Sequence, residues 1–199
     1  MAGEWFSYPF RQRKIKPGSR EKMQLKLQTK EVALIAIYAA LYAVLVVEIP
    51  GLSYGPLNLR VADAMLGAVP LLGIAGVLGH TLGVFVGNIP SPFGFIDLLN
   101  TIPSFVMAFV VYYAYKRTRN DYSVLATSVA YSAVLGTTVG WMLSAPFNIP
   151  LPLSILYVFI GNLIMTTVVG WPLFKLLKRT GVFERWFGNG ETVSAASRN

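Results

Sequence analysis

The sequence predicts an all-helical integral membrane protein of six transmembrane spans, and three observations carry that prediction. Only 13% of its 199 residues are charged while 54% are hydrophobic; a soluble domain carries about 25% charged residues. From Tyr122 to Phe174 there is no charged residue, and from Glu31 to Tyr115 only Glu31, Glu48, Arg60, Asp63 and Asp97 are acidic or basic, with His80 among them. The cations gather in three clusters: Arg11 to Lys30, then Lys116, Arg117 and Arg119, then Lys175 onward; Arg60 alone stands apart. A formal charge of +8 would suit nucleic acid, but cations at the ends of apolar runs follow the positive-inside pattern and need no nucleic acid.

A span takes about 20 residues, so the stretch to Tyr115 holds four and the stretch after Tyr122 two more. Parity agrees, because cytoplasmic tails and a cytoplasmic island at 116–119 require even numbers of spans between them. The first span runs from Glu31 to Glu48 and ends at "EIPGLSYGP". The second starts near Asn58 and reaches Pro70, and the third, "IAGVLGHTLGVFVGN", stops at "IPSPFG". The fourth runs from Phe95 to Tyr115, the fifth from Tyr122 to Leu143, and the sixth follows "SAPFNIPLP" and ends near Leu177. Each break holds Pro or Gly, which remove a helix donor or loosen the backbone. The chain then divides into a basic cytoplasmic tail (1–30), a transmembrane domain (31–177) and a cytoplasmic C-terminal tail (178–199). A short amphipathic helix over "REKMQLKLQTK" would lie on the membrane surface.

With no cysteine, disulfides, thiolate zinc sites and cysteine nucleophiles are excluded. No GxxxxGK[ST], HExxH or GxSxG motif occurs, so the chain neither hydrolyses ATP nor resembles a membrane protease. His80 has no metal-ligating neighbour at ligand spacing and reads as a packed, hydrogen-bonded histidine.

Small residues form two ridges. Gly79, Gly83 and Gly87 recur every fourth position in the third span and read as internal packing; Ala36, Ala39, Ala40 and Ala43 in the first span suit either the core or a partner subunit. Among the polar residues, Arg60 and Asp63 at i, i+3 share a helical face and would partly neutralise each other, as a brace or as part of a ligand site. Asp97 heads a stripe of Asp97, Asn100, Thr101 and Ser104 on one helical face, and intramembrane carboxylates mark functional sites by default; the alternative is a first-turn carboxylate favoured by the helix dipole. Asn162, following Ser154 and Tyr157, lines the interior or makes an interhelical bond. Trp141 is a belt residue at the membrane interface or a stacking surface. These features point to a polar cavity near the outer face and to no energy source within the chain.

"LNLRVADAML" resembles the arginine–small–acidic segment, and "GNIPSPFGFIDLL" the Asn…Ser-Pro-x-Gly-x-x-Asp segment, of QueT-type proteins. These are substrate-binding (S) components of energy-coupling factor transporters that take up queuosine precursors. The resemblance covers roughly Glu31 to Leu177 and has one departure: Asn162 in "IGNLI" stands where an acidic residue is expected. It implies a six-helix bundle that binds a vitamin-like ligand from outside, capped by the loop between the first two spans. It further implies docking through small residues of the first span (Ala36, Ala40, Ala43) onto a transmembrane coupling protein, with two separate ATPase subunits driving release. No cofactor or metal belongs to the chain itself. A 7-deazaguanine presents two adjacent donors that one carboxylate accepts as a fork. Asp97 takes that role, with Asn100 and Asn162 lining the pocket, Asp63 or Glu48 meeting an aminomethyl cation, Trp141 stacking on the ring, and Arg60 holding Asp63. The rival readings are an S component for another vitamin, a membrane enzyme acting on lipid head groups, and a structural assembly protein.

Overall fold

Among the described residues, five stretches are long and apolar enough to cross a bilayer: Thr29–Val47, Val61–Asn88, Phe95–Thr118, Asp121–Ser144 and Leu151–Thr180. The computed structural model describes residues 29–181; the expected surface helix and most of both tails lie outside the described residues. In order the elements are α1 (Thr29–Val47), α2 (Pro50–Ser53), a 3-10 segment Val61–Ala68, α3 (Val69–Asn88), α4 (Phe95–Leu99), α5 (Thr101–Thr118), α6 (Asp121–Ser144), α7 (Leu151–Leu163), a π segment Ile164–Val169 and α8 (Gly170–Thr180).

The second long stretch is two antiparallel legs. Gly73 has φ 64° and ψ −141°, a conformation that glycine alone adopts readily, and the chain doubles back there. A Cβ on Gly76 would stand 3.0 Å from the Cα of Val69, whereas seven residues of continuous helix separate two Cα atoms by about 10 Å. The 3-10 backbone rises about 2 Å per residue, so the leg Val61–Leu72 spans about 22 Å, as does the α-helical leg Ile74–Asn88. The fold is therefore the all-helical, six-helix bundle the sequence predicts, with one reversal hidden inside an unbroken apolar run.

Residue pairings give the direction of each leg. Gly79, Gly83 and Gly87 face Tyr38, Tyr42 and Val46 in turn, so α1 and the second leg run parallel. Tyr42 reaches Asp63 and Tyr38 reaches Met65, so the first leg runs against both. Gly140 and Gly136 face Ile155 and Phe159, which makes α6 and α7 antiparallel. The glycines thus serve the internal packing expected of them: no Cβ intervenes, and the helices approach closely.

One end of the bundle is basic and clamped. Asp121 at the head of α6 accepts from Lys175 at 2.7 Å and Lys178 at 2.5 Å on α8, and Lys178 lies over the Tyr115 ring at 5.7 Å. The other end holds α2, α4 and the intervening loops. There the chain before Arg60 dips into the bundle. The carbonyls of Leu57 and Asn58 lie against Gly161, ten residues into α7, about 15 Å along that helix.

Helix α1 has two faces. Ile35, Tyr38, Tyr42, Ala43 and Val46 are buried, while Ala36, Ile37, Ala40, Leu41 and Val44 are exposed. Ala43 therefore does not belong to an exposed docking ridge. At 100° per residue it falls on the inward stripe with Val46, three positions on.

Candidate functional site

Arg60 is the centre of the site because of where its backbone stops. It caps the 3-10 segment with φ −80° and ψ 104°, an extended conformation, so its side chain leaves the helical face that carries Asp63. The expected Arg60–Asp63 pair is accordingly not made. Arg60 instead crosses to α4, where its Nη2 bridges both oxygens of Asp97 at 3.2 Å. Its Nε donates to the Asn58 side chain at 2.8 Å and to the Ser53 carbonyl at 3.3 Å, and its guanidinium lies 5.8 Å from the Tyr54 ring centre. One side chain thus ties the Ser53–Asn58 loop to α4.

Asp97 is fully buried, at 0% exposure. Besides Arg60, its carboxylate accepts from Asn100 Nδ2 at 3.3 Å, and its backbone carbonyl accepts from Asn88 Nδ2 at 3.0 Å. The stripe it heads turns inward as expected: Asn100 and Ser104 are buried, Asn100 against the Met142 sulfur and Ser104 against Tyr131. Asp97 is a buried ion-pair partner rather than a simple first-turn carboxylate of the five-residue α4.

Asp63 is buried and accepts from the Tyr42 hydroxyl at 2.5 Å. Beneath it, His80 sits between Tyr38 (Nδ1, 3.2 Å) and Tyr131 (Nε2, 3.3 Å), with its ring edge-on to Tyr42 at 5.2 Å. This is the packed, hydrogen-bonded histidine the sequence suggests. Among the described residues no three His, Asp or Glu side chains converge so as to hold a metal ion.

Three expected site residues stand elsewhere. Trp141 is 66% exposed, on the outward face of α6 where an interface-belt residue belongs. Glu48 is exposed beyond the end of α1. Asn162 is buried but donates to Val158 on its own helix at 3.0 Å, and its carbonyl takes the Thr166 hydroxyl, which also meets Ser132. It belongs to the α6–α7 packing seam.

The expected polar cavity is also rearranged. The polar groups close on one another, and the cavity beside them is apolar: about 440 Å³, lined by Gly51, Leu52, Gly55, Pro56, Leu57 and Tyr157. It lies along the Ser53–Asn58 loop, which Arg60 ties to Asp97.

Sequence reasoning assigned no site role to Ser53, Tyr54, Asn58, Asn88 or Tyr42, although Asn88 is the asparagine of the quoted Asn…Ser-Pro-x-Gly-x-x-Asp segment. Tyr38 and Tyr42 left a signal, since two hydroxyls four residues apart in an apolar span must share an inward face. The loop residues left none.

A comparison with family models matches residues 32–179 to the family described as QueT transporter. No curated protein and no solved structure matches the chain.

Proposed function

The chain belongs to the QueT transporter family, and from that premise we propose that it is the substrate-binding component of an energy-coupling factor importer, capturing a 7-deazaguanine precursor of queuosine. It is not an enzyme on this reading and holds no cofactor; ATP is consumed by two separate subunits.

The observation that carries the substrate class is the Arg60–Asp97 pair. A guanine-type ring contains a guanidine unit: its ring N–H and exocyclic amine are held in one plane around one carbon. Arg60 offers Asp97 the same functional group. The arginine contact is long, 3.2 Å to each oxygen from a single nitrogen, where charge-assisted N–H···O bonds run about 2.7–2.9 Å and the strong form uses two nitrogens. A base edge with two parallel donors would therefore displace it. The released guanidinium keeps a counter-charge in Asp63, three residues on. Freed from Asp97, the Ser53–Asn58 loop closes over the ligand. Calorimetric titration of the purified protein with 7-aminomethyl- and 7-cyano-7-deazaguanine tests this. Binding of at least one is expected, and binding of neither defeats the substrate assignment.

The exposed Ala36–Ala40 ridge of α1, flanked by Ile37, Leu41 and Val44, suits a close-packed transmembrane coupling protein. Ala40→Phe should abolish uptake in cells while leaving titrated affinity within about threefold, a difference of ~0.6 kcal/mol. A matching loss of affinity would place Ala40 in the internal core. The basic end, with both termini, faces the cytoplasm by the positive-inside rule. A cysteine at the exposed Gly51 should then react with an impermeant maleimide added outside intact cells, and protection of that cysteine would invert the topology.

A further inference from the structure

Six buried side-chain polar atoms among the described residues have no hydrogen-bond partner, and three of them, Ser53 Oγ, Asn88 Oδ1 and Thr101 Oγ1, lie on the segments around the Arg60–Asp97 pair. The others, on Ser128, Thr167 and Trp171, lie towards the basic half of the bundle. An unpaired buried polar atom destabilises the protein that carries it, so a cluster at one end of a transporter calls for a ligand to pair it. Asn88 is the most constrained. It is 1% exposed, at the last residue of α3, and its Nδ2 donates to the Asp97 carbonyl. Turning the amide over would set oxygen against oxygen. Its Oδ1 is therefore fixed as an acceptor with nothing to accept from.

We infer that Asn88 is a specificity-determining residue of the substrate site, accepting through Oδ1 the outer N–H of the ligand's exocyclic amine. This rests on the 7-deazaguanine reading and deepens it. A guanine-type edge carries three N–H hydrogens: one on the ring nitrogen and two on the amine. Asp97 satisfies the ring hydrogen and the inner amine hydrogen as a fork. The outer amine hydrogen needs a second acceptor beside Asp97, and Asn88 is docked to the Asp97 backbone with one to offer. Aspartate and asparagine together then read the 2-amino group itself, which separates guanine-type from hypoxanthine-type bases.

The test is a cycle of two proteins and two ligands. The parent and Asn88→Ala are each titrated with 7-aminomethyl-7-deazaguanine and with its analogue lacking the 2-amino group. Asn88→Ala should weaken the 2-amino ligand roughly tenfold and leave the analogue within about threefold. Damage to folding lowers the competent fraction for both ligands alike and cancels in the ratio. Asn100→Ala, which loosens the Asp97 carboxylate without removing the Asn88 acceptor, gives the ratio that damage to Asp97 alone produces. A ratio for Asn88→Ala no larger than that one also overturns the assignment. Equal losses for the two ligands, or no loss for either, overturn the assignment of Asn88 while leaving the transporter reading intact. Failure of the parent to bind either ligand overturns the substrate reading, and this one with it. Should Asn88→Ala not purify as a folded protein, Asn88→Ser is carried through the same cycle, with the same ratio deciding.

Discussion

Asp97→Asn is expected to weaken binding of a 7-deazaguanine base by roughly 30- to 1000-fold, the equivalent of ~2–4 kcal/mol, and to destabilise the empty protein as well. The two effects have separate causes. In the bound state the amide puts a donor where the base also presents a donor, so one charge-assisted bond is lost and one polar group is left unpaired. In the empty state Arg60 keeps its bonds to Ser53 and Asn58 but loses its only ion-pair partner among the described residues. Breaking a buried pair from one side costs about 3–5 kcal/mol, because the surviving charge stays desolvated. Removing both charges should therefore separate the effects. Arg60→Met combined with Asp97→Leu is expected to melt closer to the parent than Asp97→Asn does, yet to bind no base. A single variant with the parent's affinity would remove Asp97 from the pocket. A double variant that still binds would show that neither charge reads the ligand.

What the sequence displayed of this site, and what it hid, follows from the range of each interaction. The stripe Asp97, Asn100, Ser104 is a matter of helical period, and it was legible because the helix keeps that period across the cap at Asn100. The glycine ridge was legible for the same reason. The partner of Arg60 was not. Spacing alone puts Arg60 and Asp63 on one α-helical face, but the segment is 3-10 and Arg60 is its extended cap, so the side chain goes to a residue 37 positions away. The reversal at Gly73 was visible only as a boundary, "VPLLG" against "IAGVLG". Nothing local told Glu48 and Trp141 to face outward, since a tryptophan at a helix end fits a belt or a pocket equally well. The orphaned oxygen of Ser53 is a three-dimensional fact with no one-dimensional trace, and that of Asn88 showed only as the asparagine heading "NIPSPFGFID".

Gly83→Val is expected to lower stability and base binding together, because it strikes the contact that aims Tyr42 at Asp63. A Cβ at Gly83 would stand 2.6 Å from the Tyr42 Cβ and 2.8 Å from its Cγ, against a carbon–carbon optimum of about 3.5–4.0 Å. Those atoms belong to the stem of the side chain and cannot swing aside, so α1 itself must retreat by about 1 Å. Valine adds two further methyl groups to the same gap. Overpacking of this kind costs about 1–3 kcal/mol. The retreat also carries the Tyr42 hydroxyl away from Asp63, 2.5 Å distant in the parent, and losing a hydrogen bond to a buried carboxylate adds about 1.5–3 kcal/mol. The sum is on the order of 2.5–6 kcal/mol. It should appear as a lowered thermal midpoint in detergent together with weakened base binding, since Asp63 is the counter-charge Arg60 turns to when the ligand displaces it. Gly51→Ala is the control. Nothing lies within 4 Å of a Cβ there, and its midpoint should match the parent's. If Gly83→Val instead melted with the parent and bound with the parent's affinity, α1 and α3 would not pack at this distance, and the route from the glycine ridge to the ligand's counter-charge would be lost with it.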